Sequence, residues 1–374
     1  MRSGRSDGLF RLGQVMDMIH VLLQSLWMRA LYFSGALWWA KRDLRRRGAT
    51  VVLTFHRILD EQAFSRTDSL PFIVVRKKTF RQLVEYVSAR YETVDVRDGS
   101  PGRFKPRSAA KRLRVAFTLD DGWQDNYVNA HPILREHGIP ATVFLCTGLT
   151  GQRMPFWPER ARMALRHTLS ERCGKRAETL IEALIESLKY CSSEARDAHI
   201  SMLRGPDNVL GTGGSYEGDV TLTWDQVRIM HGQGVRFGSH SHSHPILTTV
   251  PLEAMAEEIR TSKRAFEAKL GTECDVFAYP NGDWSPEIRE AVAACGFRYA
   301  FTTERGAWLA SSDPLAIPRA NVQQQDLVGP SGRFSPVMFE YATFWKAWLA
   351  TRRIEKRSEG PTRASVVTVP QEIA

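Results

Sequence analysis

Six short apolar runs, separated by stretches of helical periodicity, constrain what this chain can fold into more than any other feature. They are "VVLTFH" (51–56), "RVAFTLDDG" (114–122), "ATVFLC" (141–146), "VRFGSH" (235–240), "VFAYP" (276–280) and "YAFTT" (299–303). All read as buried strands, because near-continuous apolar runs belong to strands covered on both faces. Between several of them lie amphipathic helical patterns such as "YVNAHPILREHG" and "PLEAMAEEIRTSKRAFEAKLG". This alternation predicts an α/β fold with a parallel sheet, open or closed into a barrel. No repeat of fixed period accompanies it.

Three segments depart from the rhythm. Residues 155–204 carry helical periodicity with few strand formers, as in "ERARMALRHTLSERCGKRAETLIEALIESLKY", and predict a helical insertion. It falls between strand ends, where barrel loops build active sites. Residues 1–48 read as an N-terminal amphipathic and basic helical segment, 49–330 as the main domain, and 331–374 as a C-terminal helix and loose tail. After about residue 345 the chain turns polar ("TRRIEKRSEGPTRAS").

The charge balance bears on partners. With 51 Lys+Arg against 41 Asp+Glu, the formal charge is +10, which favours acidic partners. Much of it is local, in "KRDLRRRG" (41–48) and "RRIEKR" (352–357), and no nucleic-acid-binding motif accompanies these runs, so nucleic acid is not expected as a partner. The stretch from Val15 to Ala40 is apolar but interrupted by Asp17, His20, Gln24 and Arg29, too often for a helix that spans a bilayer. No small-residue cleavage site follows it. With basic residues directly behind, it either lies on an anionic membrane surface or packs on the main domain. The five cysteines are scattered and none forms a CxxC pair, so a reducing cytosol, with membrane association on its cytoplasmic face left open, is the expected home.

Chemistry concentrates in two places. "GSHSHSHP" (238–245) puts three of ten histidines into five positions, and "FTLDDGWQDN" ends an apolar strand with Asp120 and Asp121. Two adjacent carboxylates are costly to bury unpaired, and a divalent cation removes much of that cost. Neighbouring side chains in a strand point opposite ways, so a turn at Gly122 is needed for both to serve one site. We therefore expect Asp121, His240 and His244 to ligate a metal with a fourth position open to water, a catalytic zinc arrangement. Asp120 would take the proton of that water. His242 should point away.

Taken in order, "FTLDDGWQDNY", "IPATVFL", "TWDQVRIMHGQGVRFGSHSHSHP" and "VFAYPNGDW" resemble successive blocks of the polysaccharide deacetylases, carbohydrate esterase family 4 or the NodB-homology domain. The similarity runs from about Val51 to Val322. It implies a distorted (β/α)₇ barrel and metal-dependent removal of N-acetyl groups from amino-sugar polymers or oligomers. It also implies Asp120 as catalytic base and Asp121, His240 and His244 as ligands. The expected cofactor is a divalent cation, Zn²⁺ first, with Co²⁺, Ni²⁺ or Mn²⁺ also suited to two imidazoles and a carboxylate.

Two blocks depart from the family pattern. The third motif usually reads Arg-x-Pro-Tyr, but "FAYPNG" puts Ala278 at the arginine and Asn281 at the tyrosine. The backbone N–H of Asn281 can still help bind an oxyanion, and Arg319 in "AIPRANV" is the candidate replacement for the orienting arginine. No histidine follows His244, so the late motif that supplies the general acid is missing. His56, at the end of the first strand, takes that place if the chain is similar to the circularly permuted poly-N-acetylglucosamine deacetylases. Trp123, Trp157 and Trp284 are candidate sugar-stacking platforms, with Asn126 and Tyr279 as further substrate contacts. The implied substrate is an N-acetylated polysaccharide, oligosaccharide or lipid-linked sugar. O-deacetylation, deformylation and non-catalytic glycan binding are the alternatives.

Overall fold

The computed structural model describes residues 27–28, 30–101, 112–152, 156–173, 177–204 and 218–358. The tail beyond 358 and the first 26 residues, over which part of the expected membrane-surface helix falls, lie outside the described residues.

The strands are β1 (Thr50–Phe55), β2 (Arg57–Leu59), β3 (Val74–Arg76), β4 (Glu92–Thr93), β5 (Arg114–Leu119), β6 (Ala141–Leu145), β7 (Arg236–Ser239), β8 (Val276–Ala278), β9 (Tyr299–Phe301) and β10 (Ala320–Asn321). Seven of them form a curled parallel ladder in the order β10-β1-β5-β6-β7-β8-β9, with β4 beside the start of β5. A parallel bridge between Phe301 and Ile317 brings the lead-in to β10 against β9. The ladder's two ends thereby meet, as in a distorted (β/α) barrel. All six apolar runs are strands of this ladder. Two-residue β10 follows Arg319, where a late strand is expected, while the β2–β3 pair carries too few residues for a periodic signal and was not foreseen.

Period-2 alternation divides the strand residues between two cores. Val51, Leu53, Phe55, Val115, Phe117, Leu119, Val143 and Leu145 pack outward against the helices. Val52, Ala116, Phe144, Val276, Ala278 and Phe301 fill the barrel interior. Both faces being covered, β1 and β5 are buried at every position.

The helices bury one stripe each. In Lys77–Arg90 the stripe is Phe80, Leu83, Val84 and Val87; in Leu252–Leu270 it is Met255, Ile259, Ser262 and Phe266. Both follow the three- and four-residue steps of an amphipathic helix. The insertion forms three helices, Trp157–Cys173, Ala177–Leu188 and Ser193–Arg204. They share a satellite core in which Trp157, Ala161, Leu165, Ile181, Ile185 and Ile200 meet Leu70 and Ile246.

One of the two readings of the N-terminal helix is met, and the expectation for the C-terminal end changes. Helix Ala36–Arg46 buries Leu37, Ala40 and Leu44, so its inner face packs on the main core. The polar stretch after residue 345 is helical as far as Ser358, because Ala347 and Thr351 supply a buried stripe that the charge-rich sequence conceals. Among the described residues, no helix is long and apolar enough to cross a membrane.

Candidate active site

The inward register of three strands runs on past their C-terminal ends. Residues 52, 54 and 56 share a face, as do 116, 118 and 120, and 238 and 240. His56, Asp120 and His240 therefore point to the same rim of the barrel, and each lines a cavity of about 520 Å³ with Asp121 and His244. Gly238 clears the layer beneath, where a Cβ would stand 2.6 Å from Val276 and 2.8 Å from Phe144.

The turn that brings both aspartates to one site starts a residue earlier than expected. Asp121 itself has φ 72 and Gly122 φ 71. Among the described residues, the non-glycine positions in left-handed backbone are Asp121, Ser241, His244 and Asn281. Such a conformation costs roughly 1–3 kcal/mol for an L-residue, and every one of the four lies on the loops around this cavity. The fold holds strain where the candidate chemistry lies.

Asp121 Oδ1 stands 3.5 Å from His240 Nε2 and 3.4 Å from His244 Nε2. Ligands about 2.0–2.1 Å from a tetrahedral zinc are about 3.3–3.4 Å apart, so these spacings fit a shared cation. His240 Nδ1 lies 2.8 Å from the Ala278 carbonyl, an acceptor only, so Nδ1 carries the proton and Nε2 presents its lone pair. Burial, against the pull of Asp121, pushes His244 down to about 4. Its imidazole is neutral at pH 7 and also has a lone pair to give. Two imidazole nitrogens converging on one carboxylate oxygen suit a metal better than they suit one another.

Cys146 lies below this set, its Sγ within 4.8 Å of the ligand atoms of Asp121 and His244. Burial first, then the nearby Asp121 and Asp120, pushes its thiol up. Its S–H already reaches the His240 carbonyl at 3.5 Å. We read it as packing under the donors. His242 turns the other way, with Nδ1 3.0 Å from Thr147 Oγ1.

Asp120 is 1% exposed. Arg319 grips it with both arms of the guanidinium, Nη1 to Oδ1 at 2.8 Å and Nη2 to Oδ2 at 2.7 Å, while Nε donates to the Thr302 carbonyl at 2.8 Å. Burial would raise the Asp120 pKa, but the Arg319 charge and hydrogen bonds outweigh it and hold the carboxyl at about 2. Asn281 sits at the cavity's exposed edge with its side chain on Asp283, 2.7 Å away.

A buried network beneath the site was not read from the sequence. Trp123 Nε1 donates to Asp121 Oδ2 at 3.0 Å, leaving Oδ1 for the histidines. The indole lies under Arg57, whose guanidinium is 4.1 Å from the ring centroid. Arg57 is fully buried, with Nε on Asp125 Oδ2 at 2.9 Å and Nη1 on Asp219. The available signal was Arg57 directly after His56 and Asp125 four residues after Asp121. Asp219, far along the chain, gave none. Glu159 also belongs to the cavity wall. Burial, reinforced by Asp121, pushes its carboxyl up to about 8.

Several expected sugar contacts need correction. Trp123 is 1% exposed and is occupied by Asp121 and Arg57, so it offers no face to a pyranose. Asn126 is buried, its amide donating to the His56 carbonyl at 2.8 Å. The Tyr279 side chain is buried and its hydroxyl donates to the Leu315 carbonyl at 2.7 Å. Trp284 packs on the outer core, with Nε1 on Glu304 at 3.1 Å. Of the aromatic candidates, Trp157 and Tyr279 line the cavity, both with mostly buried rings, alongside Phe72, Phe156 and Ile185.

Comparisons with known proteins bear on the family and the fold. The family model described as polysaccharide deacetylase matches residues 107–300. A curated relative from Bacillus subtilis (strain 168), YxkH, whose name assigns it to the polysaccharide deacetylases, is 20% identical over 249 residues, 66% of this chain. The chain spans 65% of that relative's length. Among solved structures, IcaB from Ammonifex degensii is similar at 18% identity and TM-score 0.51, covering 81% of this chain and 97% of that one. The Streptococcus pyogenes deacetylase PplD, solved with acetate, is similar at 18% identity and TM-score 0.50, covering 74% and 92%. At such identities the two structures speak for the fold alone.

Proposed function

Because the chain belongs to the polysaccharide deacetylase family, we propose that it hydrolyses N-acetyl groups of an acetylated glycan, with a divalent cation held by Asp121, His240 and His244. The observation that carries this reading is the bidentate Arg319–Asp120 pair set beside the Asp121–His240–His244 donors in one cavity. It supplies what Ala278 removes from the usual third motif.

A bound cation at these donors would polarise the acetyl carbonyl and acidify a water, Zn²⁺ being the first choice and Co²⁺, Ni²⁺ or Mn²⁺ fitting the same set. Asp120, kept ionised and aimed by Arg319, accepts a proton from the attacking water as the new C–O bond forms. The backbone N–H of Asn281 faces the developing oxyanion, a donor that no side-chain exchange removes. His56, at the end of β1 on the same rim, delivers a proton to the nitrogen as the C–N bond breaks. The products are acetate and a free amine. Asn126 and Trp123 serve indirectly, the first holding the His56 backbone and the second holding Asp121.

The test is acetate release by the full chain from chitin oligomers, poly-β-1,6-N-acetylglucosamine and acetylated lipid-linked sugars. We expect release from at least one class, lost in Asp120→Asn and in His56→Ala, with metal retained in both. If wild type and Asp120→Asn release acetate at the same background rate while metal stays bound, the chain is a glycan-binding relative and the reading fails.

A further inference from the structure

A second cavity of about 520 Å³ lies at the other end of the barrel, and neither the proposed chemistry nor the family resemblance uses it. It is lined by Lys41, Arg42, Arg45, Arg90, Arg112 and Leu113, together with Trp38, Tyr32, Tyr86, Tyr91 and the carboxylate of Glu340. Arg112 and Leu113 lead into β5, whereas Asp120 follows its far end. Six strand residues at about 3.3 Å each put roughly 20 Å between the two sites.

The lining is strongly unbalanced in charge: five cationic side chains face one carboxylate. Glu340 is buried and spent, since Lys41 Nζ lies 2.7 Å from it and the hydroxyls of Tyr86 and Tyr91 donate to it. Among the described residues Arg42 and Arg90 stack on rings and form no ion pair, the first 5.1 Å from the Trp38 ring centroid and the second 4.3 Å from that of Tyr86. Trp38, Arg42 and Arg45 stand at i, i+4 and i+7 on helix Ala36–Arg46, so one face of a single helix supplies much of the cavity.

The same region exposes aromatic surface. Phe33 is 80% exposed, Trp38 59% and Trp39 49%, although the opposite stripe of the helix, Leu37, Ala40 and Leu44, is buried. Large indoles beside guanidinium groups match the headgroup zone of a bilayer, where aromatic rings and cations sit at one depth. Nucleic acid would call for a groove that tracks a backbone. These cations instead converge on one cavity of headgroup size.

We propose that this face binds an anionic phospholipid headgroup, with Trp38, Trp39 and Phe33 entering the membrane interface around it. Docked this way, the barrel turns its catalytic rim away from the bilayer, toward a glycan in solution or extended from the surface. The proposal does not depend on the deacetylase reading.

The test is co-sedimentation of the full chain with phosphatidylglycerol-containing and pure phosphatidylcholine vesicles. Binding to the first and not the second is expected, weakening as salt shortens the Debye length from about 10 Å at 0.1 M to about 3 Å at 1 M. Arg42→Glu/Arg90→Glu should lower partitioning at least about tenfold, with acetate release from a soluble oligosaccharide unchanged. Arg42→Gln/Arg90→Gln is the milder form should the reversal fail to fold. Trp38→Ala/Trp39→Ala should weaken binding and leave its salt dependence. Equal binding to both vesicle types would overturn the proposal, as would equal partitioning of the arginine variants and wild type. Displacement by millimolar inorganic phosphate would also overturn it and identify the ligand as free phosphate.

Discussion

Replacing Arg319 by Met should unfold the logic of the catalytic rim in a measurable way. The side chain is fully buried and spans from the start of β10 to Asp120 at the end of β5, and Met keeps much of its stem while removing the charge. Asp120 would then be a buried carboxylate without its guanidinium. Breaking a buried pair by removing one partner costs about 3–5 kcal/mol, because the remaining charge is left uncompensated. The pH dependence separates this cause from simple loss of packing. In wild type Asp120 titrates at about 2, below its ordinary 3.8. Its contribution to stability is therefore complete above pH 3.8 and lost as pH falls through 2, a gap of about 2 kcal/mol by linkage.

In the variant burial acts unopposed by Arg319, and the Asp120 pKa rises above 3.8. The sign then reverses: the penalty is absent at acid pH and appears as pH rises through the new pKa. Urea unfolding of metal-stripped protein from pH 4 to 8 reads this directly. Wild type and Arg319→Met should lie closest near pH 4 and diverge toward neutrality. Asp120→Asn/Arg319→Met should recover much of the loss, since no charge is left buried and unpaired. A stability difference that stays constant with pH, or single-variant losses that simply add in the double variant, would show that the pair does not hold the carboxylate ionised.

Two further outcomes follow from named side chains. His240→Ala and His244→Ala should lose bound metal on dialysis while His242→Ala, whose ring is engaged with Thr147, keeps it; equal loss in all three, measured by elemental analysis, would refute the donor set. Glu159, with its carboxyl pushed up to about 8 from an ordinary 4.5, stabilises the fold below pH 4.5 and loses that contribution as pH rises through 8. Glu159→Gln should therefore flatten the fall in melting temperature of metal-stripped protein across that window, a term of at most about 5 kcal/mol, and an unchanged slope would remove Glu159 as its source.

The six longer strands of the ladder were legible because burial on both faces leaves unbroken apolar runs. The same alternation carries His56, Asp120 and His240 to one rim without any further signal. The tryptophans were not legible in this way. A sugar platform and a buried prop have the same composition, and only the placement of Arg57 against the Trp123 ring and of Asp121 at its Nε1 decides between them. The left-handed backbone at Asp121 was hidden for a related reason: Gly122 advertises a turn, and nothing local says that the residue before it must bend as well.

The absent arginine at Ala278 carries the most weight, and the interior packing explains how the chain does without it. Ala278 faces inward on β8 among Phe144, Phe301 and Ile317. Arg319 enters the same interior from the lead-in to β10, its guanidinium 5.7 Å from the Phe144 ring centroid, and reaches Asp120 over Thr118. A long side chain at 278 would start from the same layer and contend for that volume, and interiors packed to crystal density hold one such chain, not two. Alanine at 278 and arginine at 319 are thus two halves of one solution: the cation needed beside Asp120 is kept, and the strand that delivers it has changed.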